Sequence, residues 1–330
     1  MKDYFKFNLT GKKLLPIWLL FLVLFVVPYG YVQYKIQGFQ GHEALQQEAM
    51  QRLFSMLQWY GVMFLLLVIE YVFIFFIAKM SIENIEFKEK TFLFKGKFGE
   101  FFGVFILGLF LSIITIGIYS PWFVKNMYNY FAKNSSYNSN EFEFKGKGGE
   151  LFLIILFTLI IPMIFIMGGF FIFAFTFAIS GVQNSESFKS SISIITMVVI
   201  FILMIPYMYY IYKWMVDLKY KNYTIKWETS FWNSSAKIAL EILLSIITIG
   251  IYSPLASLRL YQYFAERTVA KSEINSKRFG YDIEPWHDFL FIWGQVLLTI
   301  ITLGVYYSWA YCKITNRILS KTYTEEIEIV

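Results

Sequence analysis

The sequence predicts an all-α polytopic membrane protein of about seven hydrophobic helical segments, built from internal repeats and carrying short cytoplasmic β-hairpins. Three observations carry that expectation. Of 330 residues, 57% are hydrophobic and only 16% charged, against about 25% charged in a soluble domain. Aromatic side chains supply 21% of the chain (Phe 37, Tyr 24, Trp 9), more than a water-soluble core needs and suited to rings at lipid interfaces. A ten-residue motif also recurs three times. An ordinary soluble enzyme is excluded, and the mean hydropathy of +0.54 agrees.

A hydrocarbon core of about 30 Å needs about 20 apolar residues of helix. Leu14 to Tyr34, Phe101 to Val124, Leu151 to Ser185, Ser190 to Tyr212 and Phe289 to Cys312 contain no Asp, Glu, Lys or Arg, and Leu53 to Ala78 is interrupted only by Glu70. Ile242 to Leu258 reaches spanning length when its helix starts near Ser235 and carries Lys237 and Glu241. The first segment is too long for a signal peptide and lacks a small-x-small cleavage site, so it reads as an anchor.

Basic residues mark the cytoplasmic side of a membrane protein. Four of them in residues 1–13 and five after the second segment, Lys79, Lys88, Lys90, Lys95 and Lys97, put the N-terminus inside and residues 37–51 outside. The loop around Glu186 and Lys189 also reads as external. Beyond that the rule meets a conflict, because Lys125 to Lys147 is basic although one crossing should have moved it outside. The segments ending near Tyr119, Tyr252 and Tyr306 either turn back as helical hairpins or span once against a weak charge bias. Gly117 with Pro121, and Gly250 with Pro254, supply the breaker chemistry that a turn needs. The expected division is a transmembrane hairpin over residues 1–80 and a repeat-built membrane domain over 81–330.

The repeated decapeptide begins at Ile113, Ile246 and Ile300 and reads Ile-Ile-Thr-Ile-Gly-Ile-Tyr-Ser-Pro in its first two copies. Its marked positions are Thr115, Gly117, Tyr119 and Pro121; Thr248, Gly250, Tyr252 and Pro254; and Thr302, Gly304 and Tyr306. Upstream, Phe92-Leu-Phe-Lys-Gly-Lys-Phe-Gly-Glu100 is answered by Phe142-Glu-Phe-Lys-Gly-Lys-Gly-Gly-Glu150, a strand, a glycine turn (Gly96; Gly146 and Gly149) and a helix start (Glu100, Glu150). Such copies are expected of a chain assembled from one structural unit. Alternating stretches at 83–94, 140–144, 223–227 and 322–329 read as short strands.

These residues resemble the YjgN-like family of bacterial inner-membrane proteins, a domain of unknown function, over roughly residues 85–320. The resemblance implies a bacterial inner-membrane location and brings no reaction, substrate or site. Leu255 stands where the family's motif has tryptophan, and Ser308 where it has proline.

Glu70 lies well inside the second segment, where a charge costs about 2.5–3.5 kcal/mol to insert and is a functional-site candidate by default. Lys237 and Glu241, spaced i,i+4, share a helix face and read first as a self-neutralising pair. Glu100 and Glu150 suit the N–H-rich first turn of a helix. The threonines can bond a carbonyl one turn back, which bends a helix. Arg259, Arg267 and Lys125 on tyrosine-rich helices suit an interface with anionic lipid. One cysteine, Cys312, and two histidines leave little for a metal site, and no cofactor, metal or nucleic-acid motif is present. The sequence therefore points to a non-enzymatic protein. It is either transporter-like or channel-like, with a polar site near the midplane at Glu70, Lys237 and Glu241, or a non-transporting scaffold or accessory subunit. Its expected partners are membrane lipids, with a membrane-protein partner or a second copy as further options.

Overall fold

The computed structural model describes residues 1–38, 49–180 and 186–327. The chain opens with β1 (Lys2–Phe7) and a helix made of α1 (Gly11–Phe21), a π-helical turn (Leu22–Val26) and α2 (Val27–Gly38). It returns through α3 (Ala49–Ile82) to β2 (Ile85–Phe87), β3 (Lys90–Thr91) and β4 (Leu93–Phe94). Next come α4 (Phe98–Ile114), α5 (Ser120–Asn134), β5 (Ser135–Tyr137) and β6 (Asn140–Phe144). A long pair follows: α6 (Gly148–Ile155), a π-helical turn (Leu156–Ile160), α7 (Ile161–Ser180) and α8 (Glu186–Met215). The chain continues through β7 (Leu218–Tyr220), β8 (Tyr223–Trp227), α9 (Phe231–Ile247), α10 (Ser253–Ala265), β9 (Thr268–Lys271) and β10 (Ser276–Tyr281). It ends with α11 (Pro285–Ile301), α12 (Tyr307–Ser320) and β11 (Thr322–Ile327).

All eleven strands form one antiparallel sheet in the order β3-β2-β1-β11-β10-β9-β8-β7-β6-β5-β4. Only Phe92 separates β3 from β4, and its N–H donates to the Ile85 carbonyl at 3.0 Å. The two ends of the order are thus halves of one extended segment, and the sheet is a nearly closed barrel. Helices leave after β1, β4, β6, β8 and β10, and each time the chain comes back to the strand hydrogen-bonded next door. Because paired strands are antiparallel, all five helical excursions rise from one rim of the barrel and the tight turns occupy the other.

The same backbone bond closes the base of every excursion. It runs from Asn8 N–H to Asn84 O (2.8 Å), Lys95 to Asn134 (2.9 Å), Lys145 to Asp217 (2.8 Å), Glu228 to Arg267 (2.8 Å) and Asp282 to Lys321 (3.0 Å). Above it, Phe7, Phe94, Phe144, Trp227 and Tyr281 end their strands as buried rings. Seven residues further on, Leu14, Phe101, Leu151, Ser234 and Asp288 are fully buried in the first helix. These rings and helix starts seed five separate apolar clusters, one at each junction between neighbouring excursions.

Two expectations are corrected. The chain is not all-α, because short strands of two to six residues pair into an eleven-stranded sheet. The alternating stretches located some of these strands, but those of two to four residues are too brief to give a period-2 signal, and the sheet holds only because distant segments close the ring. Nor are there seven spans, for among the described residues four helical stretches are long and apolar enough to cross: Gly11–Gln37, Leu53–Ile82, Gly148–Ile172 and Val198–Met215. The other three expected segments are each cut by a left-handed turn, at Ile116-Gly117, Ile249-Gly250 and Leu303-Gly304. The turns leave first helices of 17 residues in all three cases. The expected strand at 322–329 is present over Thr322–Ile327, and its last residues lie outside the described ones. Most of the expected external loop at 37–51, and residues 181–185 before Glu186, also lie outside the described residues.

Candidate functional site: the three short hairpins

In α4–α5, α9–α10 and α11–α12 the break is built the same way. The threonine hydroxyl donates to a carbonyl one turn back (Thr115 to Leu111 at 2.7 Å, Thr248 to Leu244 and Thr302 to Leu298 at 2.8 Å). It also accepts the N–H of the motif tyrosine, at 2.9 Å from Tyr119 and 3.0 Å from Tyr252 and Tyr306. The threonine therefore ends the first helix and caps the second, while Pro121 and Pro254 sit in the first turn of α5 and α10, where no N–H is needed. Gly117, Gly250 and Gly304 take φ of 85°, 81° and 88°, the conformation glycine adopts without cost.

The residue before each glycine is the anomaly. Ile116, Ile249 and Leu303 have φ of 51°, 50° and 49°, a left-handed conformation that is an outlier for β-branched side chains. They are also 93%, 92% and 87% exposed. In water this position would favour Asn or Gly; here it carries an aliphatic group three times, flanked by exposed Ile118, Ile251 and Val305.

The hairpins lean rather than stand. Trp18 of α1 donates to the Gly304 carbonyl at 2.8 Å, and Trp293 of α11 donates to the Ile251 carbonyl at 3.0 Å. At the third tip, Trp122 packs tilted against Phe152 of α6 with ring centroids 5.6 Å apart. Trp18 lies seven residues beyond Gly11, so the neighbouring tip reaches only about 10 Å along α1 at 1.5 Å per residue. Trp293 lies eight residues beyond Pro285, or about 12 Å.

Behind each tip runs a polar relay. Glu241, fully buried, takes the Lys237 ammonium at 2.6 Å and the Tyr252 hydroxyl at 2.8 Å, and that hydroxyl accepts from Arg259 at 2.8 Å. In the last hairpin Tyr306 donates to Gln295 at 2.9 Å and accepts from Lys313 at 2.8 Å. In the first, Gly108 stands where Glu241 and Gln295 do, and Asn126 reaches the Tyr119 hydroxyl at 3.4 Å. The relay positions lie seven residues before the threonine and seven after the tyrosine. That offset was available from the aligned motif copies, and sequence reasoning missed Gln295, Asn126 and Lys313 for want of applying it.

Four grooves of about 330 to 390 Å³ accompany the helix pairs. One joins Glu100, Gly108, Tyr119, Asn126 and Lys133 between α4 and α5, and another joins Glu150, Lys213, Asp217 and Lys226 beside α6 and α8. Glu70 lines none of these four grooves. It is half-buried in α3 and has no hydrogen-bond or ion-pair partner among the described residues. It is thus not brought together with Lys237 and Glu241, whose pairing does hold. Glu100 and Glu150 occupy first helical turns and face Lys97 and Lys147 at 3.9 and 3.7 Å. Gly96 and Gly146 are needed for room: a Cβ there would lie 2.5 and 2.4 Å from the Phe94 and Phe144 rings. At Gly149 such an atom meets nothing.

A cluster at the base of the last hairpin also escaped the sequence. Asp288, fully buried in the first turn of α11, accepts from Arg317 at 2.7 Å, Lys321 at 2.6 Å and the Glu284 N–H at 2.8 Å. Burial works against its ionised form, but Lys321, the Glu284 N–H and Arg317 outweigh it and hold the carboxyl below its usual range.

Among the described residues, four membrane-length helices and three apolar-tipped hairpins on one rim of a strand barrel are the features of a membrane-associated protein. Residues 2–279 match the family described as bacterial protein of unknown function (DUF898), and the chain belongs to that family. This agrees with the YjgN-like resemblance carried by the decapeptide and glycine turns. No curated protein and no solved structure matches the chain.

Proposed function

We propose that this is a multi-pass protein of the bacterial inner membrane, N-terminus and barrel cytoplasmic, assembled from five copies of a strand–hairpin–strand unit. It acts without catalysis as a lipid-binding membrane scaffold. Two long excursions anchor it, and three short hairpins re-enter the cytoplasmic leaflet. The observation that carries this reading is the set of exposed, strained aliphatic residues at all three tips. Backbone strain of about 1–3 kcal/mol per site persists where it serves a function, and an aliphatic group at such a site gains only when acyl chains cover it. Tips about 10–12 Å up their neighbours fit within one leaflet of a hydrocarbon core of about 30 Å.

The test is a fluorophore on Ile249→Cys in the reconstituted protein, quenched by lipids labelled at known acyl depths. Quenching in the acyl region, with the unlabelled Ile249→Cys protein unreactive toward an impermeant thiol reagent on the periplasmic face, is the expected result. Periplasmic labelling would restore single spans and remove the scaffold reading. One observation favours transport instead: Glu70, a carboxylate without a partner among the described residues, on a membrane-length helix. A solute flux in proteoliposomes abolished by Glu70→Gln would make transport the better reading.

A further inference from the structure

We propose that Arg259 and Lys313 are seats for the phosphate of anionic glycerophospholipids in the leaflet that the short hairpins enter, an inference that rests on the re-entrant reading above. Both cations occupy the same relay position, and each is held by its motif tyrosine from one side only. Arg259 donates through one guanidinium nitrogen to the Tyr252 hydroxyl and stands 5.7 Å from that ring. Lys313 donates once to the Tyr306 hydroxyl and stands 5.4 Å from its ring. Neither has a carboxylate partner among the described residues, whereas Lys237, Arg317 and Lys321 all do. A guanidinium carries five N–H donors and an ammonium three, so most of each donor set is left for another acceptor.

The spacing selects that acceptor. Each cation lies seven residues from its tyrosine toward the barrel, about 10 Å along the helix. The hairpins lean, so this length along the helix is a smaller change of depth, but with the aliphatic tip among acyl chains it carries the cation back toward the phosphate layer of the same leaflet. The tyrosine hydroxyl fixes the cation's direction, and Glu241 or Gln295 fixes the hydroxyl. The first hairpin has Asn126 at this position and no cation, so it is a neutral counterpart and two seats are expected.

The experiment titrates the full chain, delipidated in neutral detergent, with phosphatidylglycerol or phosphatidylcholine and counts bound lipid by native mass spectrometry. Phosphatidylglycerol is expected to be retained over phosphatidylcholine. A basic residue at an anionic lipid surface is worth about fivefold in binding, so the double variant Arg259→Gln, Lys313→Gln loses about 25-fold. The charge-preserving pair Arg259→Lys, Lys313→Arg keeps most of the binding and controls for folding. Equal retention of both lipids by the wild type, or undiminished phosphatidylglycerol binding by the double Gln variant, overturns the proposal. Displacement by millimolar inorganic phosphate overturns the lipid as source and leaves a free-anion site. Depth quenching at residue 249 is read on the same variants. Lost selectivity with unchanged quenching supports the seats; unchanged selectivity with unchanged quenching sinks them while leaving the re-entrant hairpins intact; loss of quenching in the wild type sinks the reading beneath both.

Discussion

Asp288→Asn isolates what the buried ion cluster contributes to the last hairpin. The change keeps the shape of the side chain and an acceptor for the Glu284 N–H, so the 2.8 Å bond to the backbone survives. What is lost is the charge facing Arg317 at 2.7 Å and Lys321 at 2.6 Å. Two charge-assisted bonds at about 1.5–3 kcal/mol each set the ceiling. Both cations keep Glu284, at 3.2 and 3.4 Å, and the Arg317 side chain is 30% exposed, so water and Glu284 recover part of the loss. The net cost falls at the low end of the range for breaking a buried pair, about 3 kcal/mol. The assay is thermal unfolding of the purified protein followed by tryptophan fluorescence, across pH. Because the folded carboxyl titrates below its unfolded value of about 3.9, its stabilisation is complete above roughly pH 4 and disappears as pH falls through the folded value. The gap between wild type and variant should therefore be constant from pH 7 to 5 and close in stronger acid. A gap under about 1 kcal/mol at pH 7, far below the range for a broken buried pair, or one that persists unchanged into acid, refutes the reasoning.

Thr248→Val removes the hydroxyl that caps α10 and should cost about 1 kcal/mol, seen as a lower unfolding midpoint that Thr248→Ser restores. Ile249→Asn should raise the midpoint in detergent, because Asn tolerates φ near +50°, yet reduce the quenching of a fluorophore moved to Ile251→Cys, exposed at the same tip; the two readouts moving together would contradict the lipid-covered tip. Glu70→Gln should leave the midpoint within about 0.5 kcal/mol, since no partner among the described residues is lost, and a larger drop would expose a further interaction of this carboxylate. Burial pushes the Cys312 thiol up to about 11, so a maleimide at pH 7.5 should label it only after denaturation; rapid labelling of the folded chain would show the junction of α1 and α12 to be open.

The sequence was legible where physics is local. Hydropathy located the two long excursions, and the alternating stretches at 140–144 and 223–227 coincide with β6 and β8 residue for residue. The i,i+4 spacing gave the Lys237–Glu241 pair. Failure came where the determinant lies far away along the chain. β7 and β9 have three and four residues, and β5 owes its place to pairing with β4 across 40 intervening residues, 95–134. Asp288 reads from its neighbours as a weak partner of His287; its true partners sit 29 and 33 residues downstream. Hydropathy alone counted the three cut segments as spans and left the bend at their breakers open, because it is blind to a left-handed residue when that residue is isoleucine or leucine.

The charge conflict in the sequence has a geometric cause. Lys88, Lys90, Lys95 and Lys97 lie on or beside β3 and β4, Lys133, Lys145 and Lys147 around β5 and β6, and Lys219, Lys226, Lys271 and Lys277 in or beside β7 to β10. Each helical excursion returns to the rim it left, so every basic connection lies at the barrel whatever the number of helices between. Counting crossings assigns alternate sides only when each apolar segment crosses once. A helix pair closed by a Thr-x-Gly-h-Tyr turn contributes two helices and no change of side. The uniform positive charge of the connections is therefore what five returning excursions require, and the apparent violation at Lys125 to Lys147, together with the Gly117–Pro121 and Gly250–Pro254 breakers, already pointed to hairpins rather than spans.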